Sequence, residues 1–173
     1  MTAPLNRPMS VLLVDDHTLF REGLALLLRP LVADLVTREA SSCEEARQDL
    51  QDNGPVDLVL MDLGLPGIPG LQGIALLREQ WPAMPVVALS SADDRDTVLQ
   101  AVEAGAMGFI PKSATSAVLI AALQLILARG IYLPPSAFLG AARTAPAPPP
   151  APPPAISDSS ESVRATDVTK RLP

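Results

Sequence analysis

Cysteine, clustered positive charge and long apolar runs are all scarce in this chain of 173 residues. Its one cysteine, Cys43, cannot form an internal disulfide, and we interpret it as a half-buried thiol at the start of a helix. The first ten residues lack the basic-then-apolar pattern of a signal peptide. We therefore expect a cytoplasmic protein.

Positive charge is also limited. The 13 Lys and Arg residues are outnumbered by 19 Asp and Glu residues, which gives a net charge of −6 and a pI near 4.7. Because the basic residues do not cluster, such an acidic chain is a poor partner for DNA. We therefore do not expect these residues alone to bind DNA sequence-specifically.

Composition divides the chain into a folded part and a tail. Hydrophobic residues make up 48% of the chain, enough for a globular core, but many of the 19 prolines lie between residues 134 and 154. A segment of this kind cannot bury a core and is typical of an extended linker. We predict an N-terminal extension at residues 1–9, one folded domain at residues 10–133, and a Pro/Ala-rich linker with a disordered tail at residues 134–173.

Within the folded domain, short apolar runs alternate with segments of helical periodicity. We predict strands at residues 11–14, 34–38, 56–61, 85–89 and 108–111, and helices at residues 18–29, 42–52, 71–80, 95–104 and 114–128. Five strand-then-helix units predict an α/β fold, in which a doubly wound five-stranded parallel sheet carries helices on both faces. The ligand crevice of such a sheet lies beyond the carboxyl ends of its strands.

Polar side chains follow four of the predicted strands at that edge. They are Asp15 and Asp16 after the first strand, Asp62 after the third, Ser90 after the fourth and Lys112 after the fifth. Three neighbouring carboxylates repel one another, and one lysine cannot neutralise them. Carboxylates without a nearby histidine or thiol favour a hard cation, so we predict a Mg²⁺ site.

This arrangement indicates phosphoryl chemistry. Asp62 would act as a carboxylate nucleophile, the cation would bridge Asp16, Asp62 and a phosphoryl oxygen, and Lys112 and Ser90 would hold the other oxygens. Each residue alone also has a structural explanation, since the acidic pair could cap a helix, Ser90 could belong to a turn and Lys112 could be a solvated surface charge. Their occurrence at successive strand ends favours the functional interpretation.

Four stretches of the chain resemble the response-regulator receiver family, and within it the NarL/LuxR-type transcriptional regulators. The stretches are Val11-Leu-Leu-Val-Asp-Asp-His17, Asp57-Leu-Val-Leu-Met-Asp-Leu-Gly-Leu-Pro66, Val86-Val-Ala-Leu-Ser-Ser91 and Ala104-Gly-Ala-Met-Gly-Phe-Ile-Pro-Lys112. The order and spacing of these motifs agree with the family from Val11 to about Leu133. The resemblance implies the flavodoxin-like receiver fold.

The resemblance also implies a role for each matching residue. Asp62 is similar to the aspartate that is phosphorylated. Asp15 and Asp16 resemble the acidic pair that binds Mg²⁺, and Gly64 occupies the position that binds Mg²⁺ through its backbone carbonyl. Ser90 matches the hydroxyl that follows the phosphoryl group, and Lys112 matches its lysine partner. Phe109 matches the aromatic switch, whose ring turns inward on activation.

Partners follow from the same resemblance. It implies a sensor histidine kinase as phosphoryl donor and a chain that is not an enzyme in the usual sense, because it catalyses only its own phosphorylation and dephosphorylation. Residues 129–135 resemble the end of a receiver, after which a linker normally leads to a helix-turn-helix DNA-binding domain. The sequence stops at Pro173, where such a domain would begin, so either the chain is truncated before it, which we favour, or this is a regulator that lacks its output domain. In both cases we expect DNA to be bound only through the missing C-terminal domain.

Two other functions compete with this interpretation. A haloacid-dehalogenase-like phosphatase also uses an aspartate nucleophile, but it needs a second acid two residues later, where this chain has Gly64. A pseudo-receiver would act as a protein-interaction module without phosphorylation. The presence of the acidic pair, Ser90 and Lys112 disfavours that alternative.

The last predicted helix, residues 114–128, contains no charged residue. Its predicted core side comprises Val118, Leu119, Ala122, Leu123 and Ile126, and its other side comprises Ile120, Ala121 and Leu125. A surface helix normally shows a polar face, so we expect the second side to be covered. About 15 residues are too few to cross a bilayer, which excludes a membrane span. We predict a homodimer or intramolecular docking through this helix.

Overall fold

The alternation of strands and helices that the sequence predicts is present in the computed structural model, which describes residues 7–138. The elements are β1 (Met9–Val14), α1 (Thr18–Leu28), β2 (Leu35–Ala40), α2 (Cys43–Asn53), β3 (Leu58–Asp62), α3 (Gly70–Gln80), β4 (Val86–Ser90), α4 (Arg95–Glu103), β5 (Phe109–Pro111) and α5 (Ser116–Leu127). A short 3₁₀ helix at Pro135–Ala137 follows α5.

The five strands form one parallel sheet in the order β2-β1-β3-β4-β5. The chain steps from β1 to β2 in one direction and then continues to β3, β4 and β5 in the other. Because parallel strands need crossover connections, the helices between them cover both faces of the sheet. The predicted doubly wound α/β fold is confirmed. The reversal of winding opens a crevice at the carboxyl ends of β1 and β3.

The central strands β1, β3 and β4 are buried on both faces, which explains why they contain continuous apolar runs, whereas the edge strand β2 is partly exposed. Helices α1 and α5 cover one face, and the buried side chains of Leu24, Leu28 and Leu123 belong to that layer. Helices α2, α3 and α4 cover the other face. Cys43 belongs to this second layer and is fully buried, so the prediction of a half-buried thiol is wrong. Its burial raises the pKa of the thiol.

Two element boundaries differ from the predicted ones because of local backbone geometry. Strand β2 begins at Leu35, since Asp34 has a φ of +56°, a left-handed conformation that a strand does not accommodate. Helix α5 begins at Ser116, since the hydroxyl oxygen of Thr115 accepts the N–H of Val118 at 3.4 Å and caps the helix.

The described fold extends slightly beyond the predicted domain of residues 10–133. Met9 is already part of β1 and pairs with Leu35. After α5 the chain runs beside β5, where the N–H of Phe109 donates to the carbonyl of Tyr132 at 2.9 Å. Ala137, which we had assigned to the linker, packs against the core layer of α2, α3 and α4. The rest of the predicted tail, from residue 139 onward, lies outside the described residues.

Helix α5 buries only part of its apolar surface. Ala122, Leu123 and Ile126 face the core as predicted. Val118, predicted on the same side, is 41% exposed, because the whole first turn of α5 is exposed and the helix packs on the sheet only beyond it. Leu125 on the opposite side is 44% exposed. Among residues 7–138, none of the helices combines the length and apolar character needed to cross a membrane.

Candidate functional site

The predicted polar residues meet at the carboxyl edge of the sheet, the edge formed by the ends of β1, β3, β4 and β5. Lys112 Nζ lies 2.6 Å from Asp15 Oδ2 and 3.1 Å from Asp62 Oδ2. Asp15 is 1% exposed and Asp62 is 3% exposed, and only 13% of the Lys112 side chain is exposed. Three residues that are far apart in the sequence therefore form one buried charged cluster.

The junction between β1 and α1 adds a further carboxylate and a histidine. Asp15 Oδ1 accepts the backbone N–H of His17 at 2.8 Å and lies 3.0 Å from His17 Nδ1. The exposed Asp16 has its Oδ1 3.2 Å from the same ring nitrogen. The expectation of carboxylates without a nearby histidine is wrong, because His17 occupies the N-cap position of α1 and its ring returns to the acids. Its position directly after the acidic pair was the signal in the sequence.

The carboxylate of Asp62 is held on both sides. Its Oδ1 accepts the backbone N–H of Gly64 at 3.1 Å, and its Oδ2 faces Lys112. These contacts orient a buried carboxylate that would otherwise be costly to remove from water. A Cβ at Gly64 would lie 3.7 Å from both carboxylate oxygens, an ordinary contact distance. Gly64 therefore acts on Asp62 through its backbone.

Ser90 ends β4 at the same edge of the sheet, and Phe109 begins β5, the strand that leads to Lys112. Ser90 is 5% exposed, and its hydroxyl oxygen accepts the N–H of Ala92 at 3.1 Å. The backbone N–H of Lys112 donates to the carbonyl of Ser90 at 2.7 Å, which ties the ends of β4 and β5 together. Phe109 is fully buried in the layer of α2, α3 and α4, so its ring faces inward in this structure.

Phe20 in the first turn of α1 is a further neighbour of the cluster. Lys112 Nζ lies 4.6 Å from the centroid of the Phe20 ring, within the range of a cation–π interaction. Phe20 lies within the helix predicted at residues 18–29, and the sequence assigned it no role at the site. No sequence signal identifies this contact, because Phe20 follows the first strand of the chain and Lys112 follows the last.

An apolar groove of about 490 Å³ opens beside Lys112 and runs between α1 and α5. Its lining residues are His17, Leu19, Phe20, Gly23, Leu24, Leu27, Ser91, Lys112 and Leu119. The groove brings open space to one side of the charged cluster.

The oxygen donors at the carboxyl edge suit a hard divalent cation. One potential ligand atom from each of Asp15, Asp16, His17 and Asp62 lies within 4.8 Å of the others. Lys112 carries one positive charge against three carboxylates. Asp15 Oδ2 is buried, and its partner among the described residues is the ammonium of Lys112, which Asp62 Oδ2 shares. The excess of negative charge over this one ammonium fits a hard cation.

The sequence is similar to one known family over most of the described residues. Residues 11–124 match the family model of the response regulator receiver domain. The transcriptional activator protein ExaE of Pseudomonas putida is 43% identical over 125 residues, which cover 72% of this chain and 58% of that protein. The chain therefore spans little more than half the length of this curated relative.

Two solved structures share the fold. A LuxR family DNA-binding response regulator from Silicibacter pomeroyi has a TM-score of 0.66 and 37% identity, covering 74% of this chain and 98% of that one. A two-component response regulator of the LuxR family from Aurantimonas sp. SI85-9A1 has a TM-score of 0.69 and 31% identity, covering 79% of this chain and 96% of that one.

Proposed function

The chain belongs to the response regulator receiver domain family, and from this membership we propose that Asp62 accepts a phosphoryl group and thereby switches a transcriptional output. The family predicted from the sequence motifs is thus confirmed. Members of this family are regulators rather than enzymes of the usual kind. We propose that the chain's own chemistry is limited to its phosphorylation and dephosphorylation.

The contact between Asp62 and Lys112 is the observation that supports this proposal most directly. A carboxylate that is buried at a strand end and oriented by the Gly64 N–H is poised as a nucleophile. A carboxylate oxygen of Asp62 attacks the phosphorus of a phosphohistidine, an O–P bond forms and the N–P bond to the donor breaks. The imidazole leaves with the donor protein, which we propose is a sensor histidine kinase.

Lys112 and Ser90 hold the transferred group. The Lys112 ammonium already lies between two carboxylates, so a small rotation directs an N–H toward an equatorial phosphoryl oxygen. The Ser90 hydroxyl accepts from Ala92 and keeps its own proton free to donate to a second oxygen. Charge that develops on the phosphoryl oxygens is thereby neutralised by groups that need little reorganisation.

Mg²⁺ fits the remaining donors. Asp15, Asp16, Asp62 and the backbone carbonyl of Gly64 would hold the ion, and it would supply positive charge to the phosphoryl oxygens. The cluster of carboxylates, which outnumber the single Lys112 ammonium, supports this assignment. With the ion bound, Lys112 is released from balancing the acids alone.

Phosphorylation would bias a two-state equilibrium through Ser90 and Phe109. It adds roughly −1.5 to −2 charges beside Asp62. Ser90 would move toward the phosphoryl group, and the inward position of the Phe109 ring would then be favoured. The backbone N–H of Phe109 donates a hydrogen bond to the carbonyl of Tyr132, so a conformational change of β5 would also reach the segment that follows α5.

The output would lie outside this chain. We propose a receiver domain that begins with β1 at Met9 and ends with the 3₁₀ helix at Pro135–Ala137, preceded by an N-terminal extension and followed by a linker, with DNA contacted by a helix-turn-helix domain beyond it. The names of the relatives, a transcriptional activator and a DNA-binding response regulator, support this arrangement. We also propose a cytoplasmic location, and a homodimer or intramolecular docking through α5.

Chemical phosphorylation tests the proposed function. The chain would be incubated with Mg²⁺ and acetyl phosphate, and the phosphoryl group located by mass spectrometry after reductive trapping of the acyl phosphate. We expect one modification, on Asp62, and none in Asp62→Asn. The matched control is Asp52→Asn on the exposed face of α2, which should be modified like the parent chain. An unmodified parent chain, or equal modification of Asp62→Asn, would contradict the proposal.

A further inference from the structure

Phe20 has no part in the chemistry described above, yet its ring faces the Lys112 ammonium at 4.6 Å. We propose that Phe20 is a positioning residue: its ring holds the ammonium over Asp15 and Asp62, in reach of a phosphoryl group on Asp62. This inference rests on the proposed function of Asp62. It adds a residue from α1 to the site and assigns it an electrostatic role.

The ammonium of Lys112 has three close neighbours. An ammonium group has three N–H donors, and two carboxylate oxygens lie 2.6 and 3.1 Å from Lys112 Nζ. The Phe20 ring lies close to the same nitrogen. Only 13% of the Lys112 side chain is exposed, so little water remains to solvate it. The ring therefore replaces part of the lost hydration.

An aromatic face is well suited to this position. It attracts a cation through the quadrupole of the ring, and the attraction is stronger when the pair is removed from water. It accepts no strong hydrogen bond, so it does not capture an N–H that the phosphoryl group needs. The ammonium can turn a donor from a carboxylate to a phosphoryl oxygen while it stays on the ring.

The groove between α1 and α5 gives the ring a further purpose. Lys112 and Phe20 both line this groove, so the lysine side chain has open space on one side. A long side chain with a free path outward loses its fixed orientation. The attraction of the ring opposes that movement, whereas a leucine at position 20 would fill the space without attracting the charge.

Backbone and core contacts at the β1–α1 junction fix the position of the Phe20 ring. Phe20 lies four residues after Asp16, in the first turn of α1, and its N–H donates to the carbonyl of His17 at 3.1 Å. Its side chain also packs against the core layer of α1 and α5. Asp15 and the Phe20 ring are therefore carried by the same junction, and both contact the lysine that follows β5.

Progressive fluorination of one ring separates the electrostatic role from packing. Mono-, di- and trifluorophenylalanine would be introduced at position 20 of the full chain, because fluorine weakens the negative ring face with little change of shape. We expect the rate constant for phosphorylation by acetyl phosphate to fall stepwise, by about 2- to 5-fold in total, as a cation–π interaction of moderate strength predicts. The same series at Phe138, whose side chain is 64% exposed, is the control and should leave the rate unchanged.

Two further measurements make the result decisive. In the unphosphorylated chain, the ring current of Phe20 should shift the NMR signals of the Lys112 ε-methylene protons upfield, and Phe20→Leu should abolish that shift. Phe20→Tyr should keep the parent rate, while Phe20→Leu should not, at equal stability toward urea. Unshifted lysine signals, or a phosphorylation rate independent of fluorination, would overturn the role of Phe20 and leave the proposed function of Asp62 standing. A parent chain that acetyl phosphate does not modify would overturn the proposed function as well.

Discussion

Asp57 is stabilised as an anion at the amino edge of the sheet, opposite the candidate site. Burial alone would raise the pKa of its carboxyl group, but hydrogen bonds from Ser10 and Arg7 outweigh burial and hold the pKa below its usual value. A carboxyl group of this kind stabilises the fold above its unfolded-state pKa. That contribution is lost as the pH falls through the lower folded-state pKa.

We therefore predict that Asp57→Asn lowers the free energy of unfolding by about 1–2 kcal/mol at neutral pH, because it removes hydrogen bonds to a charged group. The difference from the parent chain should shrink in acid, where Asp57 is protonated in both states. Urea unfolding followed by circular dichroism at several pH values measures both. Asp52→Asn serves as the exposed control, and a pH-independent difference for Asp57→Asn would refute the role of its charge.

The candidate site also shows which properties of single residues a sequence reveals. The sequence predicted that four residues would be neighbours, because parallel strands bring their carboxyl ends to one edge of the sheet: Asp15, Asp62, Ser90 and Lys112. The contact of Lys112 with Phe20 was not, because it depends on the direction of two side chains from different elements. Sequence spacing carries no information about such directions.

At the scale of elements, the start of α3 is held against the end of β3. A Cβ added at Gly70, the first residue of α3, would lie 2.3 Å from the backbone oxygen of Asp62 and 2.4 Å from the Cα of Leu63. These atoms belong to the backbone and cannot move aside without displacing the strand end. Glycine at this position therefore lets the helix approach Asp62 closely.

A pair of glycine substitutions tests this packing. We predict that Gly70→Ala destabilises the fold by about 1–3 kcal/mol or more, because the methyl group forces the backbone apart. Gly23→Ala in the middle of α1, where the added Cβ meets nothing within 4 Å, should stabilise it by about 0.5–1 kcal/mol. Urea unfolding of both variants measures the two effects. Equal effects of the same sign would contradict the proposed close approach.

The boundaries of the elements were predicted less well than their order. The start of β2 depends on the left-handed conformation of Asp34, and that of α5 on the cap at Thr115. The residue type at these two positions does not decide the local backbone conformation, since an aspartate or threonine is compatible with strand, cap and turn. The order of the elements was predictable because apolar runs and helical periodicity extend over many residues.

At the scale of the whole molecule, α5 leaves an apolar surface uncovered. Leu125 is 44% exposed, and neighbouring positions of the helix carry no charge. We predict that the chain self-associates through α5 and that Leu125→Glu raises the dissociation constant at least about tenfold, because burying a leucine contributes about 1.5–3 kcal/mol. Sedimentation velocity over a range of concentrations measures this.

A second exposed apolar residue provides the control for self-association. Val36 on the outer strand β2 is 46% exposed and distant from α5 in the sheet order. Val36→Glu should therefore associate like the parent chain. A parent chain that stays monomeric at every concentration, or equal weakening by both substitutions, would refute an interface at α5.

The sequence alone determined the α/β class, the parallel sheet and the residues at its carboxyl edge, because these follow from hydrophobic periodicity and from the polar residues that end each strand. Only the tertiary structure decided the contacts of His17 and Phe20, the inward ring of Phe109 and the exposure of Val118. Each of these depends on where a side chain points and on what a distant element places beside it. Such contacts arise from the packing of the whole chain and produce no periodic pattern in its sequence.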